Sequence, residues 1–229
     1  MLACLEHLPF KSGDRILFQG DSLTAADRDF HKPWHLGNGY VAIIAGLLAQ
    51  ARPDLRVEVL NRGVGGNRSA ELLARWDADC LQLHPTWLSI MIGVNDVWRL
   101  RLPPSHKRYI PLDEFVVNYR QLLDTALAAD VEHLVLVSPT LIELDMAGEL
   151  NQLVAEYDEA VAALARQYEA IYVPLRQHLI EFSKSRSDLV WLRDPVSDGC
   201  HFNTLGHAVA AITWLTAVCE HTRLRGVDA

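Results

Sequence analysis

Five short apolar runs recur along the chain, each closed by glycine or small polar residues and separated by stretches of helical period. They are Arg15–Gln19, Arg56–Leu60, Trp87–Ile92, His133–Val137 and Ala170–Val173. β-Branched and aromatic residues bounded by turn formers predict strands. Apolar residues at helical spacing predict helices over Gly39–Ala51, Ser69–Leu83, Leu112–Ala129, Glu149–Tyr168, Leu175–Ser185 and Thr204–His221, the last with Asn203 as its cap. Trp87–Ile92 is almost continuously apolar, as in a strand buried on both faces. Strands alternating with helices, without repeat or linker, predict one α/β domain over 1–229 on a doubly wound, five-stranded parallel sheet. Ligands of such sheets bind beyond the carboxyl ends of the strands. The residues that close the runs are therefore the ones to read for chemistry.

Composition excludes several classes of partner. Half of the 229 residues are hydrophobic and 22% are charged, which suits a packed core. A net charge of −8 argues against nucleic acid, which needs a basic face. No apolar run approaches the ~20 residues that cross a bilayer. Met1 to Arg15 lacks a basic start followed by an apolar block, so no secretory signal is expected. Cys4, Cys80, Cys200 and Cys219 form no C-x-x-C pair and read as reduced thiols of a cytoplasmic protein.

The first strand runs into Gly20-Asp21-Ser22-Leu23, which puts Ser22 where a nucleophile could stand. On this tetrapeptide alone, a helix cap is the commoner use of serine. A nucleophilic serine needs a base, an orienting acid and oxyanion donors. Gly65-Gly66-Asn67 follows the second strand and lets the backbone approach a ligand closely. Gly63-x-Gly65 also resembles part of a dinucleotide turn, but Arg68 stands where the third glycine belongs. Asn95, after the third strand, carries a carboxamide that can donate twice, or it serves as a cap with Asp96. Asp198-Gly199-Cys200-His201 offers an acid and a base on one extended loop, and a surface turn is the plain alternative. Cys200 has no neighbour that marks a lowered pKa and reads as a buried thiol. His31 and His35 have the spacing of a zinc pair, but Pro33 breaks the helix that the spacing requires. His207 reads as a hydrogen-bonded core histidine, and the sequon Asn67-Arg68-Ser69 as accidental.

Taken in order, the four pieces resemble the signature blocks of the SGNH, or GDSL-type, hydrolases. Gly20-Asp21-Ser22-Leu23 is similar to the nucleophile block, and Gly66 stands at the oxyanion glycine. Gly93-Val94-Asn95-Asp96 is similar to the G-x-N-D block, and Asp198-x-x-His201 to the block with acid and base. The longer runs Leu36–Val41, Asn61–Asn67 and Ile90–Arg99 resemble the single-domain acetylxylan esterases most closely. The resemblance implies a flavodoxin-like three-layer α/β/α sandwich and a homo-oligomer without metal or cofactor. It also implies a serine esterase that removes acetyl groups from acetylated xylo-oligosaccharides or related sugars. Ser22, Asp198 and His201 would form the triad, and Ser22, Gly66 and Asn95 the oxyanion hole. Asp21, Trp98 and Trp34 are candidate substrate contacts; Trp98, Trp34 and Phe30 are read either as a sugar platform or pocket wall or as core packing. A short-chain carboxylesterase, lysophospholipase or thioesterase uses the same chemistry, and a non-catalytic binding module is a further alternative. Gly65, Ser197 and Phe202 depart from the pattern, at positions where the family carries serine, tryptophan and proline. The elbow G-x-S-x-G is absent, because Thr24 follows Leu23.

Overall fold

The computed structural model of the protein describes residue 5 and residues 8–102, 108–186 and 200–224. Strands β1 (Arg15–Gly20), β2 (Glu58–Asn61), β3 (Trp87–Met91), β4 (His133–Val137) and β5 (Ile171–Val173) form one sheet in the order β2-β1-β3-β4-β5. Every neighbouring pair is parallel. Nine α-helices are described: α1 (Ser22–Ala25), α2 (Tyr40–Ala51), α3 (Ser69–Ala74), α4 (Trp76–Asp79), α5 (Val94–Trp98), α6 (Leu112–Ala128), α7 (Glu149–Gln167), α8 (Leu175–Arg186) and α9 (Thr204–Leu224).

Strand alternation sends side chains to two cores. Ile16, Phe18, Trp87, Met91, Val135, Val137, Ile171 and Val173 pack on one face, with Tyr40, Val41 and Ile44 of α2, Leu179 of α8 and Trp214 of α9. Leu17, Leu88, Ile90, Leu134 and Leu136 point the other way, towards Leu72 of α3, Phe115 of α6 and Val154 of α7. The result is a three-layer α/β/α sandwich. Its strand order follows from handedness: β1 to β2 runs one way across the sheet and β2 to β3 runs back. Right-handed crossovers must then place α2 on one face and α3 on the other. The direction reverses between β1 and β3, and a crevice opens beyond their carboxyl ends.

The helix expected over 69–83 is broken. It ends at Ala74 and resumes at Trp76, because Arg75 at the break turns its side chain inward. The guanidinium donates to the Gly20 carbonyl at 3.1 Å, to Gln19 at 2.9 Å and to Asn67 at 2.8 Å. The cysteine reading also changes. Cys80 and Cys200 are buried free thiols, but Cys219 is disulfide-bonded. Sequence spacing carries no signal for such a bond, since pairing depends on which residues the fold brings together. Among the described residues, no helix is long and apolar enough to cross a membrane.

Candidate active site

Ser22 follows directly on the buried strand β1. Asp21 takes the capping role that serine could have filled: its Oδ1 accepts the Leu23 N–H at 3.0 Å, opening α1. Ser22 is thus left as the first helical residue, with an N–H that has no intrahelical acceptor. Its Oγ lies 2.7 Å from His201 Nε2, across 179 positions of sequence. Trp214 holds α9 against the sheet by donating to Ser89 at 3.0 Å, and Asn203 caps that helix at Gly206 N–H, also at 3.0 Å. His201 sits just before this anchored helix end.

Asn95 lies in α5, beyond β3, and is buried. Its Nδ2 donates to Asp21 Oδ2 at 3.3 Å, which fixes the amide orientation and leaves one N–H of that nitrogen. Asp21 is 2% exposed, and burial pushes its carboxyl up to about 6 against the pull of the Leu23 and His201 contacts. Both its oxygens are engaged within the protein, one by the Leu23 N–H and one by the Asn95 amide.

Two contacts tie the segments carrying Gly66 and Asn95 together, and sequence patterns show neither. Asp96 accepts from Ser69 N–H at 3.0 and 3.1 Å and from Ser69 Oγ at 2.6 Å, pinning α5 to the start of α3. Burial raises the Asp96 carboxyl to about 7. Arg99 donates to the Gly66 carbonyl at 2.9 Å, joining the Asn95 loop to the glycine loop. Gly66 has φ +73°, a backbone that a side chain would strain. A Cβ on Gly65 would lie 3.8 Å from that of Ser22, in ordinary contact, so a serine there would fit. Aspartate beside asparagine after a strand was the available signal for Asp96, although its partner stands 27 residues away.

Ser22 and His201 border two hollows. The narrow one holds about 40 Å³ and is lined, among the described residues, by Asp21, Leu23, Val94, Asn95, Trp98 and Cys200. The wide one holds about 430 Å³, and its walls include Asp27, Phe30, Gly65, Phe202 and His207. Trp98 lines the narrow hollow and Phe30 the wide one. Trp34 lines neither: it is 70% exposed and makes an edge contact with His35. The ring of His35 accepts the Asp29 N–H at 2.9 Å. Asp198 and Ser197 lie outside the described residues, as does 103–107 of the loop before α6. Among the described residues, no group of three or more His, Cys, Asp or Glu could hold a metal.

The model of the GDSL-like lipase/acylhydrolase family matches residues 18–209. The chain belongs to that family. It is a carboxylic ester hydrolase. An acetylxylan esterase of Geobacillus stearothermophilus is 33% identical over 215 residues, covering 90% of this chain and 94% of the relative. A bovine (Bos taurus) isoamyl acetate-hydrolyzing esterase 1 homolog is 27% identical, over 84% and 76% of the two chains. The crystal structure of Axe2, an acetylxylan esterase from G. stearothermophilus, superposes with a TM-score of 0.83 at 30% identity, over 91% and 95% of the chains. Solved catalytic mutants of Axe2 replace a serine, an aspartate and a histidine with alanine.

Proposed function

We propose that the protein is a serine esterase that removes acetyl groups from acetylated xylo-oligosaccharides or related sugars. The observation that carries the reading is the 2.7 Å contact between Ser22 Oγ and His201 Nε2, at the junction of a narrow and a wide hollow. The same residue types, serine, histidine and aspartate, are replaced in the catalytic mutants of Axe2.

In the first step, His201 Nε2 takes the Ser22 proton as Oγ attacks the ester carbonyl carbon. That role requires the ring proton on Nδ1, and Asp198 holds it there and stabilises the imidazolium. The carbonyl oxygen becomes an oxyanion and receives the N–H groups of Ser22 and Gly66 and the remaining Asn95 amide N–H. The tetrahedral species collapses, the C–O bond to the alcohol breaks, and His201 returns the proton to that oxygen. Water then attacks the acyl-enzyme by the same route and releases acetate.

Size supports the acetyl group. Asn95 lines the narrow hollow, so an ester whose oxygen meets Asn95 directs its acyl methyl there. Roughly 10–15 Å³ of such space admits one water. About 40 Å³ therefore takes an acetyl group and has no room for the chain of a lysophospholipid. The leaving alcohol faces the wide pocket. The family resemblance carries a homo-oligomer with it, which the mass in solution tests.

The deciding experiment is acetate release from acetylated xylo-oligosaccharides by the protein and by Ser22→Ala. The variant should lose at least ~10⁴-fold in kcat with its circular dichroism unchanged. Inert sugars together with cleavage of nitrophenyl acetate through Ser22 would replace this reading with a short-chain carboxylesterase.

A further inference from the structure

The wide pocket has a polar wall that the ester chemistry leaves unused. His207, one turn into α9, accepts the Tyr40 backbone N–H on its Nδ1 at 3.3 Å. Tyr40 opens α2, and the cap residue Gly39 has no side chain to satisfy that helix end. The imidazole of α9 therefore does so from outside. A Cβ on Gly39 would stand 2.8 Å from His207 Cε1 and 2.9 Å from Nδ1, so this approach depends on glycine.

The contact settles the tautomer. With Nδ1 accepting from a fixed amide, the proton of the neutral ring sits on Nε2. Burial, with a smaller push from His201, holds the ring down to about 4, so it stays neutral at ordinary pH. Nε2 has no hydrogen-bond partner among the described residues, and the ring lines the pocket.

Asp27 lines the same pocket and is exposed. It stands at φ +61° after Ala26 at φ +40°, two left-handed non-glycine residues in succession. Such backbone is strained for alanine and tolerable for aspartate. Its carboxylate makes no hydrogen bond or ion pair to a described residue. Phe30, 58% exposed, completes the wall and is steadied by the Arg28 guanidinium 4.1 Å from its ring centre.

We propose that His207 and Asp27 form a subsite for a hydroxyl-bearing ring in the leaving alcohol. His207 Nε2–H donates to one ring or hydroxyl oxygen, and the Asp27 carboxylate accepts from a neighbouring hydroxyl. The Phe30 face packs against the C–H groups of the ring. The proposal rests on the acetyl-sugar reading above and names the residues that select the sugar.

The test compares two acetates of six-membered rings, monoacetylated methyl xyloside and cyclohexyl acetate, of which only the first carries hydroxyls. The unmodified protein should prefer the xyloside. His207→Phe keeps ring volume without the donor, and Asp27→Gly removes the carboxylate from a backbone that glycine adopts freely. Each should lower the xyloside-to-cyclohexyl ratio of kcat/KM by roughly three- to tenfold, chiefly through KM. His207→Gln, able to accept from Tyr40 and donate to the pocket, should restore part of the ratio. If His207→Phe does not fold, Asp27→Gly alone carries the test. An unchanged ratio, or an equal loss on both esters, overturns the subsite while leaving the esterase reading intact. Failure to cleave the xyloside at all, with nitrophenyl acetate still turned over through Ser22, overturns the sugar reading and the subsite with it.

Discussion

The two hollows beside Ser22 share Ser22, Leu23 and His201 but differ in the rest of their walls. The narrow one is walled by Val94, Asn95 and Trp98 of α5, a helix that hangs on the central strand β3 and is pinned by Asp96. The wide one is walled by the loop after α1 and by the start of α9, with an exposed phenylalanine, a carboxylate and a neutral imidazole. A close-packed wall discriminates by size, because added atoms have nowhere to go. A wall of unsatisfied donors and acceptors discriminates by hydrogen bonding, which rejects partners that leave its groups unpaired. In the proposed reaction, one side of the ester is thus measured and the other is read.

The largest test of this contrast strikes the narrow side at Asn95, the proposed oxyanion donor. Asn95→Ala should lower kcat by roughly 10²–10³ with little change in fold, the usual scale for one lost donor. Near-normal turnover would remove Asn95 from the mechanism. Opening the same wall with Trp98→Ala should raise the ratio of octanoyl to acetyl nitrophenyl ester cleavage by about tenfold or more. If chain-length preference does not move, the narrow hollow is not where the acyl group sits.

The smallest effect is in stability, and it has opposite sign on the two sides. On the wide side, His207 is held down to about 4 from 6.5. The unfolded chain then binds the proton first, so this group withdraws stability as pH falls through that window. His201 and Asp27 are the charged neighbours that act on it. On the narrow side, burial raises Asp21 to about 6 from 3.8. The folded form holds that proton more tightly, so stability grows on acidification across the same range. Asp96, raised to about 7, acts in the same direction. His207→Gln should therefore gain stability relative to the unmodified protein as pH falls from 6.5 towards 4 in urea titrations. Parallel curves would mean that the imidazole does not stay neutral in the fold.

The sequence made some of this arrangement legible. Strands β1 and β3 announce themselves by nearly continuous apolar cores, and the short polar blocks that follow them place Ser22 and Asn95 at one crevice. His201 could be paired with Ser22 because the chemistry of a serine nucleophile demands a base. Contacts that depend on which elements become neighbours were not legible. The Arg99 tie to Gly66 and the Asp96 tie to Ser69 join segments 33 and 27 residues apart. His207 was read as a core histidine, and its bond to Tyr40 fits that reading. Its exposure to the pocket depends on α9 packing against α2, which no local pattern encodes. Trp34 lines neither hollow among the described residues, and an aromatic residue in a loop carries no mark of which way it points.

Ser22 and Asn95 extend from β1 and β3, the paired strands at the centre of the sheet, where nearly every side chain is buried. Amides in such strands exchange with solvent only through openings that approach global unfolding, whereas surface loops breathe at far lower cost. The centre proposed to break the ester is therefore anchored to the last part of the molecule to open. In the proposed reaction, fluctuations of the loop carrying Asp27 and Phe30 admit and release alcohols of different shape while the distance between Ser22 and His201 holds.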